Sequence, residues 1–103
     1  MTNAIRGEVT LETNQGPKIL CVTTGALAQL ETELGTSITK IQATLGEGEM
    51  VTINAIIYWL LRGGGWNDLT KDDLITLEYS IKPAVEKIKQ AFKNWTGDGP
   101  KKP

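Results

Sequence analysis

Histidine is absent from the sequence, and cysteine occurs once, at Cys21. The first absence removes the commonest general base and the commonest metal ligand together, which lowers the standing of any enzymatic reading. The second excludes an internal disulfide and a thiolate metal cluster, and it suits a reducing compartment. Long apolar runs are missing too. The longest, Ile53 to Leu61, covers nine residues and includes Asn54, whereas a helix crossing a hydrocarbon layer needs about 20. The opening residues MTNAIRGEV lack the apolar core of a secretory signal, so no export route is expected. Net charge is small, −1 with a sequence pI near 5.4, which argues against the dominant basic surface of a nucleic-acid binder. The balance is nevertheless uneven: residues 1–81 carry a net −5 and residues 82–103 a net +4.

What is present is an ordinary globular composition, 40% hydrophobic and 22% charged over 103 residues. That length allows one domain with a modest core. We expect a single α+β domain over residues 1–96 and a flexible Gly/Pro/Lys tail over residues 97–103, GDGPKKP. The centre of the domain is expected in Thr52 to Trp66, TINAIIYWLLRGGGW. A helix apolar on nearly every side is normally surrounded by other elements, with Thr52 as its N-cap and Gly63, Gly64 and Gly65 as its stop. A buried strand is the competing reading of this run, because Ile, Tyr and Trp favour strands.

Glu8 to Thr13 alternates polar and apolar residues, as a half-buried strand does. Asn14, Gln15, Gly16 and Pro17 form a turn, and Lys18 to Thr23 follows as a second strand, so the pair predicts a β-hairpin whose loop exceeds two residues. Leu27, Leu30 and Leu34 define an amphipathic helix closed by Gly35, and Ile38, Ile41 and Leu45 a second one capped by Thr36 or Ser37. Beyond the central helix, the Thr70-Lys71-Asp72-Asp73 run reads as a helix start. A stripe from Leu74 to Trp95 then continues for several turns, interrupted by Pro83, which predicts a break near Ser80 to Lys82 and two helices in series. The expected fold class is α+β: an N-terminal β-hairpin followed by a bundle of four to five helices.

Few residues invite a chemical reading. Gly63 to Gly65 follow a helix whose carbonyls point at the loop, the wrong polarity for a phosphate. Asp68, Asp72, Asp73 and Glu78 lack the spacing of a calcium loop, and helix capping accounts for Asp72 and Asp73. Glu31 with Glu33, and Glu47 with Glu49, read as surface carboxylates. The lysines Lys82, Lys87, Lys89 and Lys93 around the last apolar stripe suit an acidic surface or simple solvation. The aromatic residues say more. Tyr58, Trp59, Trp66, Phe92 and Trp95 are the expected protein-interaction residues, since such rings anchor binding patches; the competing reading places them all in the core.

The order of these pieces resembles a known family. Arg6-Gly7-Glu8-Val9 ahead of a hairpin, the helix GALAQLETELG from Gly25 to Gly35, the central helix ending Leu60-Leu61-Arg62-Gly63-Gly64-Gly65, and a last helix ending in Ala91 and Phe92 are similar to the small tail protein of gene transfer agents and related siphophages. The family carries two labels, tail assembly chaperone and tail tube protein. The chain departs from it in an Ile- and Trp-rich central helix, where Ala and Leu are expected, and in its Lys-Pro tail. Tail tube subunits have cores of several long strands, and one hairpin does not provide them, so the resemblance implies the chaperone. It further implies no catalysis and no cofactor or metal. The implied partners are the tape-measure protein and the tail tube protein in the bacterial cytoplasm; a homo-oligomer is expected separately, because the apolar faces exceed what a core of this size covers, and the acidic pI and short apolar run speak against nucleic acid and membrane. A structural tail or neck component kept in the particle is the alternative; a small DNA-binding regulator is disfavoured by the acidic pI.

Overall fold

The computed structural model describes residues 8–45 and 49–96. The expected tail and most of the GEGE run lie outside them. Strands β1 (Glu8–Thr13) and β2 (Gly16–Cys21) form a two-stranded antiparallel hairpin, followed by α1 (Thr24–Leu34), α2 (Ile38–Thr44), α3 (Met50–Gly63), α4 (Lys71–Thr76) and α5 (Ile81–Thr96). The class is α+β, a hairpin and then five helices.

The hairpin turn is tighter than the sequence suggested. Thr13 pairs with Gly16, leaving only Asn14 and Gln15 in the loop. Gly16 makes this feasible by taking φ +94°, a left-handed conformation that costs glycine nothing. The Gly-Pro pair taken as turn is therefore the start of β2, and Pro17 faces Glu12. A two-stranded hairpin is marginal alone; here α3 packs against β2 and α5 against β1.

Helix α1 is capped as its sequence requires: Thr23 Oγ1 accepts from Ala26 N, and Gly35 closes the other end at φ +67°. For α2 the cap is Ser37, accepting from Lys40 N. The central helix starts earlier than expected. Glu49 occupies its N-cap position, and Thr52 lies inside the first turn, its hydroxyl donating to Glu49 Oε1; the apolar pattern is silent there because Met50 and Val51 stay exposed. From Ile53 onward α3 is the core. Ile53, Ala55, Ile56, Ile57, Tyr58, Leu60 and Leu61 are all buried, joined by Leu11, Leu20, Leu27, Leu30, Ile88 and Phe92 from the surrounding elements.

The three glycines after Arg62 serve different needs. A Cβ on Gly63 would come to 2.5 Å from the Cys21 carbonyl oxygen, and one on Gly64 closer still to that of Ile19. Both residues thus let the end of α3 lie against β2. Gly65 has room for a side chain but adopts φ +113°. The amides of Gly64, Gly65 and Trp66 all donate to α3 carbonyls, of Leu60, Arg62 and Leu61 respectively. They are spent on ending the helix.

The break in the last stripe comes earlier than Pro83 suggested, at residues 77–80 between α4 and α5. Pro83 instead sits in the first turn of α5, where a missing N–H is tolerated because first-turn amides have no helical acceptor.

Candidate interaction surface

Two surface sites flank α3, and each begins with a residue that the fold leaves incompletely covered. The first lies at its N-terminal end. Helix α4 starts with a full capping box: Thr70 Oγ1 accepts from Asp73 N, and Asp73 Oδ2 accepts from Thr70 N. Yet α4 has no buried residue. Its Ile75 is 77% exposed, as is Val51 on α3, and Met50 is 44% exposed. Val51, Ala55, Leu74 and Ile75 line a cleft of about 240 Å³ with Asn54, Glu33 and Lys71. Its rim is fixed by polar contacts. Lys71 Nζ lies 3.0 Å from Glu33 Oε2, Trp59 Nε1 donates to Glu33 Oε1 at 2.9 Å, and the Tyr79 hydroxyl donates to Asn54 Oδ1. Burial pushes the Glu33 carboxyl up, but the Trp59 indole N–H and the Lys71 ammonium outweigh it, so its pKa falls below the ordinary 4.5. Burial pushes the Tyr79 phenol up, which keeps it a donor to Asn54.

The second site lies at the C-terminal half of α3. The rings of Tyr58 and Trp59 meet edge to face with centroids 4.8 Å apart, although neighbours on a helix project in different directions. Tyr58 turns inward and donates its hydroxyl to the Leu69 carbonyl, while Trp59 stays half-buried at the surface. The guanidinium carbon of Arg62 sits 5.8 Å from both ring centroids, and Nη1 donates to Tyr58 Oη at 3.0 Å. Trp59 and Arg62 border a pocket of about 320 Å³, completed by Thr23, Gly25, Ala26, Gln29, Gly63 and Asn67.

The five residues expected at an interface are thereby distributed unevenly. Tyr58 and Phe92 lie in the core. Trp59, Trp66 and Trp95 are half-buried, each packed against the core from outside. Trp59 edges the pocket just described, and Trp66 lies under Lys18 Nζ at 4.4 Å, beside Ile19 and Pro17. Trp95 is at the far end of α5. Sequence reasoning passed over Met50, Val51 and Ile75, which are left in solvent together with Ile19 and Ile81; it also gave Lys71 and Arg62 no part in a site and took Glu33 for a surface carboxylate, although these three hold the aromatic cluster. Val51 and Ile75 could have been noticed as apolar residues off the helical stripes; nothing in the sequence links Glu33 to Trp59.

Among the described residues no group of His, Cys, Asp or Glu could hold a metal, and no helix is long and apolar enough to cross a membrane. In a comparison with known families the chain matches the model described as "Phage tail tube protein, GTA-gp10" over residues 6–93. The chain belongs to this family. Comparisons with curated proteins and with solved structures return no match. Membership places the chain among the proteins of phage-like and gene-transfer-agent tails, and the family's description is that of a structural tail component. The tail-protein family is carried here on a fold with two strands and five helices.

Proposed function

We propose that this tail-family protein is an assembly factor, a chaperone that holds apolar helical segments of the tape-measure protein in the bacterial cytoplasm while tail tube subunits are recruited. One observation carries the reading: α4 has no fully buried residue, only Leu74 packing partly on the core, and Val51 and Ile75 face solvent at 77% exposure beside the same cleft. Apolar surface left open beside a well-capped helix is surface available to a partner, and an amphipathic helix laid in a groove is a recurrent way of filling it. The two-stranded sheet favours assembly over a place in the tube wall, because a wall subunit needs a larger β core. We also expect self-association through the half-buried tryptophans Trp59, Trp66 and Trp95, with Tyr58 and Phe92 supporting them from beneath.

The test is co-expression with the tape-measure protein from the same gene neighbourhood. The wild-type chain should keep it soluble and co-purify with it, and a Val51→Ser/Ile75→Ser double variant should lose most of that binding without unfolding. Absence of binding when both proteins are soluble would reject the proposal. The family's description as a tail tube protein favours a second reading, a subunit retained in the particle. Mass spectrometry of purified particles separates the two: an assembly factor is absent or far below stoichiometric amounts, a tube or neck subunit is not.

A further inference from the structure

Arg62 is a half-buried cation with no anion beside it among the described residues. Its guanidinium offers five N–H donors in a planar fork, and its one hydrogen bond goes to the Tyr58 hydroxyl. Among the described residues the ion pair is Lys71 with Glu33, and no carboxylate of a described residue reaches Arg62. The omission is notable in a region where residues 1–81 carry a net −5. The guanidinium rests against the Tyr58–Trp59 ring pair, 5.8 Å from each centroid, and is tied to the Tyr58 hydroxyl, which removes part of the freedom that a ligand would otherwise have to freeze. Of the eight residues lining the adjoining pocket, Arg62 is the only charged one; Gly25, Ala26 and Gly63 leave it open, and Gln29, Asn67 and Thr23 add polar groups.

We infer that this pocket is a binding site for a side-chain carboxylate, an aspartate or glutamate on an acidic segment of a partner protein. The planar fork of Arg62 matches the two oxygens of a carboxylate, and Trp59 supplies an apolar wall for the methylene groups. Arg and Trp are also the residue types that most often dominate interface energetics. The site shares no lining residue with the α3–α4 cleft, although the Trp59 indole N–H reaches Glu33 on that cleft's rim, and its argument does not rest on the tape-measure reading.

The experiment is nitrogen-15 NMR titration of the full chain with three probes: N-acetyl-glutamate α-amide, which carries one side-chain carboxylate, its neutral glutamine counterpart, and inorganic phosphate. The three indole N–H signals report separately, and only Trp59 lines this pocket. The glutamate probe should shift the Arg62 Nε–H and Trp59 indole signals saturably in the millimolar range, leaving those of Trp66 and Trp95 in place. The glutamine probe should do nothing. Arg62→Gln should weaken the response at least tenfold. Because that change also removes a contact to Tyr58, a second variant guards the result: Gln29→Glu places a carboxylate on the pocket's own rim and should block the probe equally while leaving Arg62 and the fold intact. Equal shifts with glutamine, uniform shifts at all three indoles, undiminished binding in Gln29→Glu, or tighter binding of phosphate than of glutamate would each overturn the assignment.

Discussion

Glycine by glycine, the described residues separate into positions that demand the residue and one, Gly25, that merely contains it. Gly64→Ala would drive a methyl group into the Ile19 carbonyl, which is backbone of a paired strand and cannot step aside. We expect a loss of about 2 to 4 kcal/mol by urea titration, in the range of a severe overpacking change. Gly25 lies in the first turn of α1 with open space at its Cβ position and no positive φ. Gly25→Ala should be neutral or stabilise by up to about 1 kcal/mol. Sequence alone gave the triplet after Arg62 one meaning, a helix stop; that two of its members make room for a strand depends on where β2 lies, which no local pattern encodes. Glu33 offers a second residue-scale test. Its folded pKa is lowered, so its contribution to stability is complete above the unfolded value near 4.5 and is lost as the pH falls through the folded value. Glu33→Gln should therefore melt below the wild type at neutral pH, and the gap should narrow as the pH falls through the folded value, where the wild-type carboxyl takes up its proton.

At the scale of elements, the parts best read from sequence are those whose ends carry side-chain signals. Thr70 and Asp73 mark the start of α4 as a capping box, and Gly35 marks the end of α1. The N-terminus of α3 was misplaced because its first turn holds exposed Met50 and Val51 and a cap residue, Glu49, that makes no side-chain cap. Pro83 pulled the expected break forward, since a proline reads as an interruption when counted along a stripe but is compatible with a first turn. The site was legible only in part: aromatic residues can be counted, but whether Trp59 lies outside and Tyr58 inside depends on which faces α1, α4 and β2 cover. Because α4 has no fully buried residue and only Leu74 packs partly on the core, its cap matters disproportionately. Thr70→Ala should cost about 1 kcal/mol, and hydrogen exchange should show α4 opening well before α3.

For the molecule as a whole, the three half-buried tryptophans give a direct reading of association. In dilute solution acrylamide should quench their emission partially. If self-association covers them, quenching should fall as concentration rises, in step with light scattering; a strictly monomeric protein whose quenching is constant would remove the homo-oligomer from the proposal. Truncating Trp59 to alanine distinguishes the roles of that ring. Loss of a half-exposed ring should leave the circular dichroism spectrum native, with a melting point lowered by less than the roughly 3 to 5 kcal/mol penalty of a fully buried aromatic would imply.

The hairpin turn also sets a clock. Asn14 N donates to the Glu78 carbonyl at 3.0 Å, its Nδ2 donates to the Thr76 carbonyl, and its Oδ1 accepts from Glu78 N at 2.9 Å. These bonds join residues up to 64 positions apart. At a synthesis rate of roughly 5 to 20 residues per second, Asn14 waits about 3 to 13 seconds for Glu78 to be made. Throughout that interval the nascent hairpin lacks both this clasp and α5, so the side of β1 that α5 covers is open to any helix in the vicinity even after α3 has been made. An Asn14→Ala chain would never fasten the clasp with its side chain, and its refolding after dilution from urea should be measurably less complete when tape-measure segments are present to compete.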